Sequence, residues 1–126
     1  KQKFKYLLPY YFFSDFVMAN AFLDFLGDNP NTRILDFLIT GREFDYSLTD
    51  IAKNSGVGWS TLHRIFPLME KQETIIKTRE IGRAKLYKIN EKNLEVKKLI
   101  ELYDNLLKKQ LVELSEKQTI KIKAKN

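Results

Sequence analysis

The chain has 126 residues, 44 % of them hydrophobic, which suits one domain with a core of its own. It has no cysteine and one histidine, which excludes disulfides, thiolate metal sites and cysteine nucleophiles and predicts a reducing, cytoplasmic location. The net charge of +6 favours a polyanionic partner. The sequence begins with Lys1 rather than methionine, so it can be part of a longer chain.

The positive charge is concentrated in two segments. Residues 59–90 hold seven basic and three acidic side chains, and residues 116–126 hold four lysines and one glutamate. The rest of the chain is close to neutral. Such a distribution is more typical of nucleic-acid binding than a uniformly basic surface is. The plain alternative is a solvated surface with a basic end.

Aromatic residues are concentrated in the first 30 positions, which hold nine of the sixteen in the chain. Pro9 discourages a helix in residues 1–13, so we expect an extended arm there. Ser14-Asp15 predicts the start of a helix. Three polar residues interrupt the apolar stretch 6–26, which therefore does not predict a membrane span. Helical spacing continues through Phe16, Ala19, Leu23 and Leu26.

A second helix and a short strand are predicted next. Gly27 to Pro30 ends the first helix, Asn31 or Thr32 caps the second, and Gly41 closes it. Phe44 to Tyr46 has the composition of one small strand. The buried face of the second helix is predicted to consist of Ile34, Leu35, Leu38 and Ile39.

Residues 48–65 have the spacing of a helix-turn-helix. Ser47 can cap a helix over 48–54, and Gly56 can take the positive φ that a tight turn between two helices needs. Ala52 is small enough to let a second helix approach closely. Ile51 and Val57, with Leu62 and Ile65 of the second helix, fill the inward positions.

The second helix of this motif is predicted from Trp59 to about Lys71. Pro67 lies inside it and is expected to bend it, because proline removes one backbone donor. The helix turns one apolar side inward, where Leu62, Ile65, Phe66 and Met69 lie.

After residue 73 the hydrophobic period changes from helical to alternating. Residues 74–80 and 84–89 predict two strands joined by the turn Ile81-Gly82-Arg83, which makes a β-hairpin. A hairpin directly after the second helix of such a motif is a wing. A long amphipathic helix is predicted from Asn93 to Leu114, and residues 115–126 are expected to be frayed.

This order of elements resembles the winged helix-turn-helix transcription regulators of the MarR and ArsR type, especially archaeal ones. Residues 31–114 carry the resemblance, through the motif Ala52, Gly56, Leu62 and the wing. It implies a mainly α-helical fold with a small β-hairpin wing and α-helical dimerisation elements at both ends. The predicted parts are an aromatic arm and helix (1–30), a DNA-binding domain (31–92), a dimerisation helix (93–115) and a basic tail (116–126).

The resemblance also implies where double-stranded DNA is bound. The recognition helix would face the major groove, and the wing would lie on the backbone or the minor groove. Nucleoid association would follow. For most of these residues a structural role, such as helix initiation or a surface ion pair, is the alternative. The recognition-helix residues are Trp59, Ser60, Thr61, His63 and Arg64; those of the wing are Arg79, Arg83, Lys85 and Lys88.

A homodimer is implied because part of the long apolar stripe needs a partner. The aromatic residues of the first 30 positions are expected in the same interface; an apolar ligand pocket between protomers and a docking site for another protein remain alternatives. The predicted interface residues are Phe16, Phe22, Leu99, Tyr103, Leu107 and Leu111.

The leading function is therefore a sequence-specific regulator of transcription. Two alternatives use the same fold: a DNA-binding part of a replication, partition or chromatin complex, and a winged-helix module that binds only protein. An enzyme is disfavoured because a glycine-rich phosphate loop and paired metal ligands are missing from the sequence. We predict no metal and no cofactor, and the sequence identifies no small-molecule effector.

Overall fold

The computed structural model describes residues 20–125, which form five helices and three strands. The predictions for residues 1–19, including the extended arm, the helix start at Ser14-Asp15 and Phe16, lie outside the described residues. The elements are α1 (Ala21–Leu26), α2 (Pro30–Thr40), β1 (Tyr46–Ser47), α3 (Leu48–Ser55), α4 (Trp59–Lys71), β2 (Ile75–Ile81), β3 (Ala84–Ile89) and α5 (Leu94–Lys125).

Asparagine side chains cap the first two helices. Asn20 is extended (φ −125°), and its side-chain oxygen accepts from the Leu23 amide at 3.0 Å, so α1 begins at Ala21. The prediction of one helix running through Asn20 to Leu26 is therefore wrong. The cap predicted at Asn31 or Thr32 is also wrong, because Asn29 caps α2. Pro30 at the first helical position and the reciprocal bonds between Asn29 and Thr32 explain the shift.

The helix-turn-helix forms as predicted. The Ser47 hydroxyl accepts from the Asp50 amide at 3.2 Å and starts α3, which ends one residue later than expected. Gly56 follows α3 in the left-handed conformation with φ 69°. Because this φ is strained for other residues, the glycine lets the chain reverse at once into α4.

The wing belongs to a three-stranded antiparallel sheet with the order β1-β3-β2. β1 pairs through Tyr46 with Tyr87 of β3 and adds a short edge strand to the hairpin. This strand begins two residues later and ends one residue later than predicted. β3 has the predicted bounds, and β2 begins and ends one residue later than expected. The pairs Ile75↔Ile89 and Ile81↔Ala84 mark the base and the tip of the hairpin.

Helix α5 is longer than the sequence suggested. The Asn93 side chain accepts from the amides of Glu95 (2.8 Å) and Val96 (3.4 Å), which fixes the start of the helix. The helix then runs to Lys125, so the expectation that residues 115–125 fray is wrong. The apolar stripe ends at Leu114, but the residues beyond it include good helix formers such as Glu, Lys, Gln and Ala.

One hydrophobic core connects all the elements. Ile34, Ile39, Ile51, Leu62 and Ile89 are fully buried (0 % exposed), and they come from α2, α3, α4 and β3. α1 and α5 add Phe22 and Val96 to the same cluster. The core therefore holds α3 and α4 rigidly under the base of the wing. Within residues 20–125 no helix is both long and apolar enough to cross a membrane.

Candidate nucleic-acid interface

Helix α4 has one buried and one exposed face. Leu62, Phe66 and Met69 are 0–6 % exposed and fix the inner face in the core, and the Phe66 ring meets Tyr87 of β3 edge-on with the ring centroids 4.7 Å apart. Ile65, also predicted inward, is half-buried. Helix geometry then directs the other side of α4 to solvent. The helix is continuous through Pro67.

The five predicted recognition residues lie away from the core. Trp59 is 51 % exposed, Ser60, His63 and Arg64 are exposed, and Thr61 is half-buried. The rings of Trp59 and His63, one turn apart, meet edge-on with centroids 4.3 Å apart. Together these residues present an aromatic pair and an exposed cation on the first two turns of one helix.

The N-terminus of α4 is open. Gly58 precedes the helix and carries no side chain that could accept from its first amides. Beside it lies a shallow cavity of about 280 Å³, whose wall includes Thr61, Gly58 and Arg33. Unpaired amides at a helix start favour an anion such as a DNA phosphate.

Arg33 is a residue of this region that sequence reasoning missed. Its guanidinium donates to both oxygens of Asp28, at 2.5 and 3.1 Å, and to the Gly56 carbonyl at 3.4 Å. The Asp28 carboxylate raises the pKa of Arg33 above its usual value. The only available signal was the acid-base spacing from Asp28 to Arg33, which is common on protein surfaces.

The tip of the wing carries basic side chains that are exposed to solvent. Gly82 has φ 61° and forms a two-residue turn with Arg83 between the paired residues Ile81 and Ala84. Arg83 and Lys85 are exposed. Residues 75–89 hold five basic side chains and one acidic side chain, which gives this hairpin a surplus of four positive charges.

The remaining predicted wing residues are not equivalent to Arg83 and Lys85. Lys88 lies near the base of the wing, opposite Ile76, and its ammonium is 3.9 Å from the Glu91 carboxylate. Arg79 is bound by Asp45, with Nε donating to Oδ2 at 2.9 Å and Nη2 donating to Oδ1 at 3.1 Å. The sequence predicts Asp45 in the short strand from Phe44 to Tyr46 and indicates no partner for it.

The predicted interface residues on α5 fall into two groups. Leu99 and Tyr103 are half-buried against the core, whereas Leu107 (40 % exposed) and Leu111 (57 %) are uncovered. Phe22 is 2 % exposed because it packs on Tyr103 with the ring centroids 5.3 Å apart. Phe22 thus has almost no surface left for a partner.

Two polar contacts attach α5 to the end of α2 and to the turn that follows it. The Tyr103 and Thr40 hydroxyls are 2.6 Å apart, and the Arg42 guanidinium donates to both oxygens of Asp104 at 3.1 and 3.2 Å. An open cleft of about 370 Å³ lies at this junction. In the part of the chain that the structure describes, no group of three or more His, Cys, Asp or Glu residues could hold a metal ion.

The fold and this surface define a winged helix-turn-helix domain. Its solved structural neighbours are MarR-family transcription regulators. MepR, "a transcription regulator of the Staphylococcus aureus multidrug efflux pump MepA", aligns over 96 % of this chain and 91 % of its own with a TM-score of 0.53 and 18 % identity. A point mutant of MepR bound to an oligodeoxyribonucleotide aligns over 97 % and 91 % with a TM-score of 0.55 and 18 % identity.

Two further structures extend the likeness. NadR in complex with 4-hydroxyphenylacetate aligns over 82 % of this chain and 74 % of its own, with a TM-score of 0.57 and 16 % identity. The chain spans only 61 % of the Lactococcus lactis ZitR mutant that it matches, with a TM-score of 0.52 and 14 % identity. At these identities the likeness shows the fold. No protein-family profile and no curated protein sequence matches the chain.

Proposed function

We propose that the protein is a sequence-specific, double-stranded DNA-binding regulator of transcription that acts as a homodimer. The observation that carries the proposal is the two-sided α4, whose inner face is locked in the core while its outer face is exposed beside a basic wing. The oligodeoxyribonucleotide bound to a MepR mutant supports it, because that protein has the same fold.

The outer face of α4 enters the major groove in this proposal. Arg64 can form two hydrogen bonds with a guanine edge, the commonest specific contact of this kind. Ser60, Thr61 and the open helix start donate to a phosphate. Trp59 and His63 form one aromatic surface, which suits contact with a sugar or a thymine methyl group.

The wing reaches the neighbouring backbone or minor groove. Arg83 lies in the tip turn and Lys85 follows it on β3, and both side chains are uncovered. A narrow minor groove has an enhanced negative potential, which attracts an arginine at such a tip. Lys88 lies closer to the body of the domain, so in this proposal it contacts the DNA phosphates near the base of the wing.

Two copies of the chain pair through α5. Leu107 and Leu111 lie one turn apart on the same face and are uncovered, although they continue the stripe that Leu99 and Tyr103 begin. A second copy of the same stripe would cover them. Pairing would place two recognition helices on one side of the duplex, about one helical turn apart.

A salt titration of DNA binding tests the function. Purified protein is titrated with duplexes of about 30 base pairs, taken from its own genome or scrambled, at several salt concentrations. We expect a steep loss of affinity with salt and a preference for one genomic fragment of roughly 10³ or more. Salt-dependent binding without preference would indicate an architectural or partition role, and no binding at low salt would leave a protein-interaction module.

The oligomeric state is tested separately by sedimentation. We expect a dimer that Leu107→Asp with Leu111→Asp converts to a monomer, because two charges would enter an apolar interface. Val112→Asp is the matched control: Val112 is 51 % exposed but lies about 100° around the helix from Leu111. A monomeric wild type contradicts the homodimer.

The proposed DNA binding also implies a location in the cell. A DNA-binding regulator works in the cytoplasm on the nucleoid. NadR was solved with 4-hydroxyphenylacetate, which makes small carboxylic acids the first ligands to screen for an effector. The neighbours whose source is named come from the bacteria Staphylococcus aureus and Lactococcus lactis, and nothing supports the archaeal character that the sequence suggested.

A further inference from the structure

Strand β2 contains an irregularity that changes where two side chains point. Lys77 pairs with Tyr87 and Arg79 pairs with Leu86, so Thr78 is an extra residue in the register, and its hydroxyl lies 3.2 Å from the Leu86 carbonyl of β3. Side chains alternate between the two faces of a regular strand, but a bulge re-aims them. Here the bulge lets two successive side chains, Thr78 and Arg79, reach the same carboxylate.

That carboxylate belongs to Asp45, 33 residues before Thr78. Its Oδ2 accepts from the Thr78 hydroxyl at 2.5 Å and from Arg79 Nε at 2.9 Å, and its Oδ1 accepts from Arg79 Nη2 at 3.1 Å. The Asp45 side chain is 16 % exposed. The Arg79 and Thr78 hydrogen bonds lower the pKa of Asp45 to about 2. Because Arg79 contacts both oxygens of the carboxylate, the contact fixes the orientation of the guanidinium relative to Asp45.

The position of Asp45 gives the contact its importance. Asp45 precedes β1 directly and stands two residues before Ser47, which caps the first helix of the helix-turn-helix. Arg79 stands in the outer part of the wing, and residues 76–85 are all exposed. Among the described residues, the buried side chains of the hairpin, Ile75, Tyr87 and Ile89, lie towards its base, where β3 also pairs with β1.

We propose that Asp45, Thr78 and Arg79 form a polar latch that holds the wing at a fixed angle to the helix-turn-helix, and that Arg79 is a positioning residue rather than a DNA contact. The inference rests on the proposed DNA binding and gives Arg79 a different role from the DNA contact that the sequence suggested. The neighbouring Lys77–Glu80 pair (2.6 Å) connects residues of one strand only and fixes no second element.

Replacing Asp45 distinguishes the latch from a simple effect of charge, because the two predict opposite changes in DNA affinity. Asp45→Ala removes a negative charge near the DNA and, by charge alone, strengthens binding. A latch predicts weaker binding, roughly threefold to tenfold, because the freed wing must be ordered again on the duplex. Glu80→Ala is the matched control: it removes one carboxylate from the same wing, and its affinity should stay equal or rise.

Arg79 variants provide a second test. If Arg79 held a phosphate by its charge, Arg79→Lys would keep most of the affinity and Asp45→Ala would not weaken binding. The latch depends on the planar guanidinium, which contacts both oxygens of Asp45. Arg79→Lys should therefore lose about as much DNA affinity as Asp45→Ala. The double variant Asp45→Ala with Arg79→Ala should then lose no more DNA affinity than either single alanine variant. Additive losses would overturn the latch.

Hydrogen exchange of the protein without DNA makes the test independent of the proposed function. We expect amides of residues 78–86 to exchange at least roughly threefold faster in Asp45→Ala than in the wild type and in Glu80→Ala. Unchanged exchange overturns the latch even if DNA binds. Faster exchange in a protein that binds no DNA supports the link to the wing and refutes the DNA-binding function instead.

Discussion

Helix α4 and the wing are held in place by different kinds of interaction. α4 inserts Leu62, Phe66 and Met69 into the core, where each is at most 6 % exposed. The base of the wing is joined to the helix-turn-helix by the β1–β3 pairing and by Tyr87 against Phe66. Between residues 76 and 85 the wing buries no side chain, and this outer part is joined to the residue before β1 by the polar contact of Asp45 with Thr78 and Arg79. The proposed DNA-binding surface thus combines a helix that is held by apolar burial with a wing whose outer part is held by polar contacts.

The difference has an energetic reason. Apolar burial contributes a large part of the stability, does not depend on protonation and is not screened by salt. An exposed ion pair contributes little and is screened by salt, although two-pronged geometry strengthens it. The position of α4 should therefore survive conditions that release the wing.

The largest expected effect comes from the core of α4. Leu62 is 0 % exposed, so Leu62→Ala should lower the free energy of unfolding by about 2–5 kcal/mol, through lost burial and a new cavity. Denaturant unfolding measures this loss. Leu68→Ala, on the same helix at 56 % exposure, is the control and should change stability by less than about 0.5 kcal/mol. Equal losses would contradict the two-sided description of α4.

The next effect is on DNA recognition. Arg64→Ala should weaken binding to the preferred genomic duplex by about fivefold to 150-fold, because a paired guanine contact discriminates by roughly 1–3 kcal/mol. Binding to scrambled duplex should change little. Lys98→Ala removes the same charge from an exposed site on α5 and should leave both affinities nearly unchanged. Equal losses on both duplexes would make Arg64 a phosphate contact.

A smaller effect is expected at the tip of the wing. Gly82 has φ 61° and no atom within 4 Å of the place where a Cβ would stand. Gly82→Ala should therefore cost about 1 kcal/mol of unfolding free energy through backbone strain alone. Asparagine tolerates this conformation better, so Gly82→Asn should recover part of the loss. A loss as large as that of Leu62→Ala would mean that the wing is held as firmly as α4.

The smallest expected effect is on how the stability of the fold depends on pH in acid. Asp45 has its pKa lowered to about 2, so its contribution to stability is complete above the unfolded pKa near 3.8 and is lost as the pH falls towards 2. Unfolding measured between about pH 4 and pH 2 should therefore show a flatter profile in Asp45→Ala than in the wild type. The pKa of Glu80 is also lowered, by Lys77, so Glu80→Ala should remove a separate part of the slope. An identical slope in Asp45→Ala would refute the assigned pKa.

Local signals made most of the fold predictable from the sequence. The glycine at position 56, the cap at Ser47 and the alternating strands around Gly82 each act within a few residues, and each prediction agrees with the structure. The error at the start of α2 occurred where two local signals compete. Asn29 and Asn31 are both able to cap α2, and the proline between them decides for Asn29.

The site was predictable only in part, because sequence patterns do not show long-range partners. Arg79 and Arg83 have the same charge and lie four residues apart, yet Asp45 binds Arg79 from 34 residues away. Arg33 was missed for the same reason, since its position beside α4 depends on how α2 packs. The exposure of Arg64 could be inferred, because two residues along an α-helix place it on the side away from Leu62. Trp59 stands three residues before Leu62, on a neighbouring side of the helix, so periodicity did not predict its exposure.

The length of α5 has a mechanical consequence. Its 32 residues span about 48 Å, and its N-terminal half is fastened to the body through Tyr103 and Asp104. The part beyond Asp104 is about 32 Å long, so tilting it by about 5° moves its far end by about 3 Å, roughly the rise of two residues. If two copies join along these rods, a slight rocking at the cleft beside Arg42 becomes a change in the spacing of the two recognition helices, and α5 works as a lever arm.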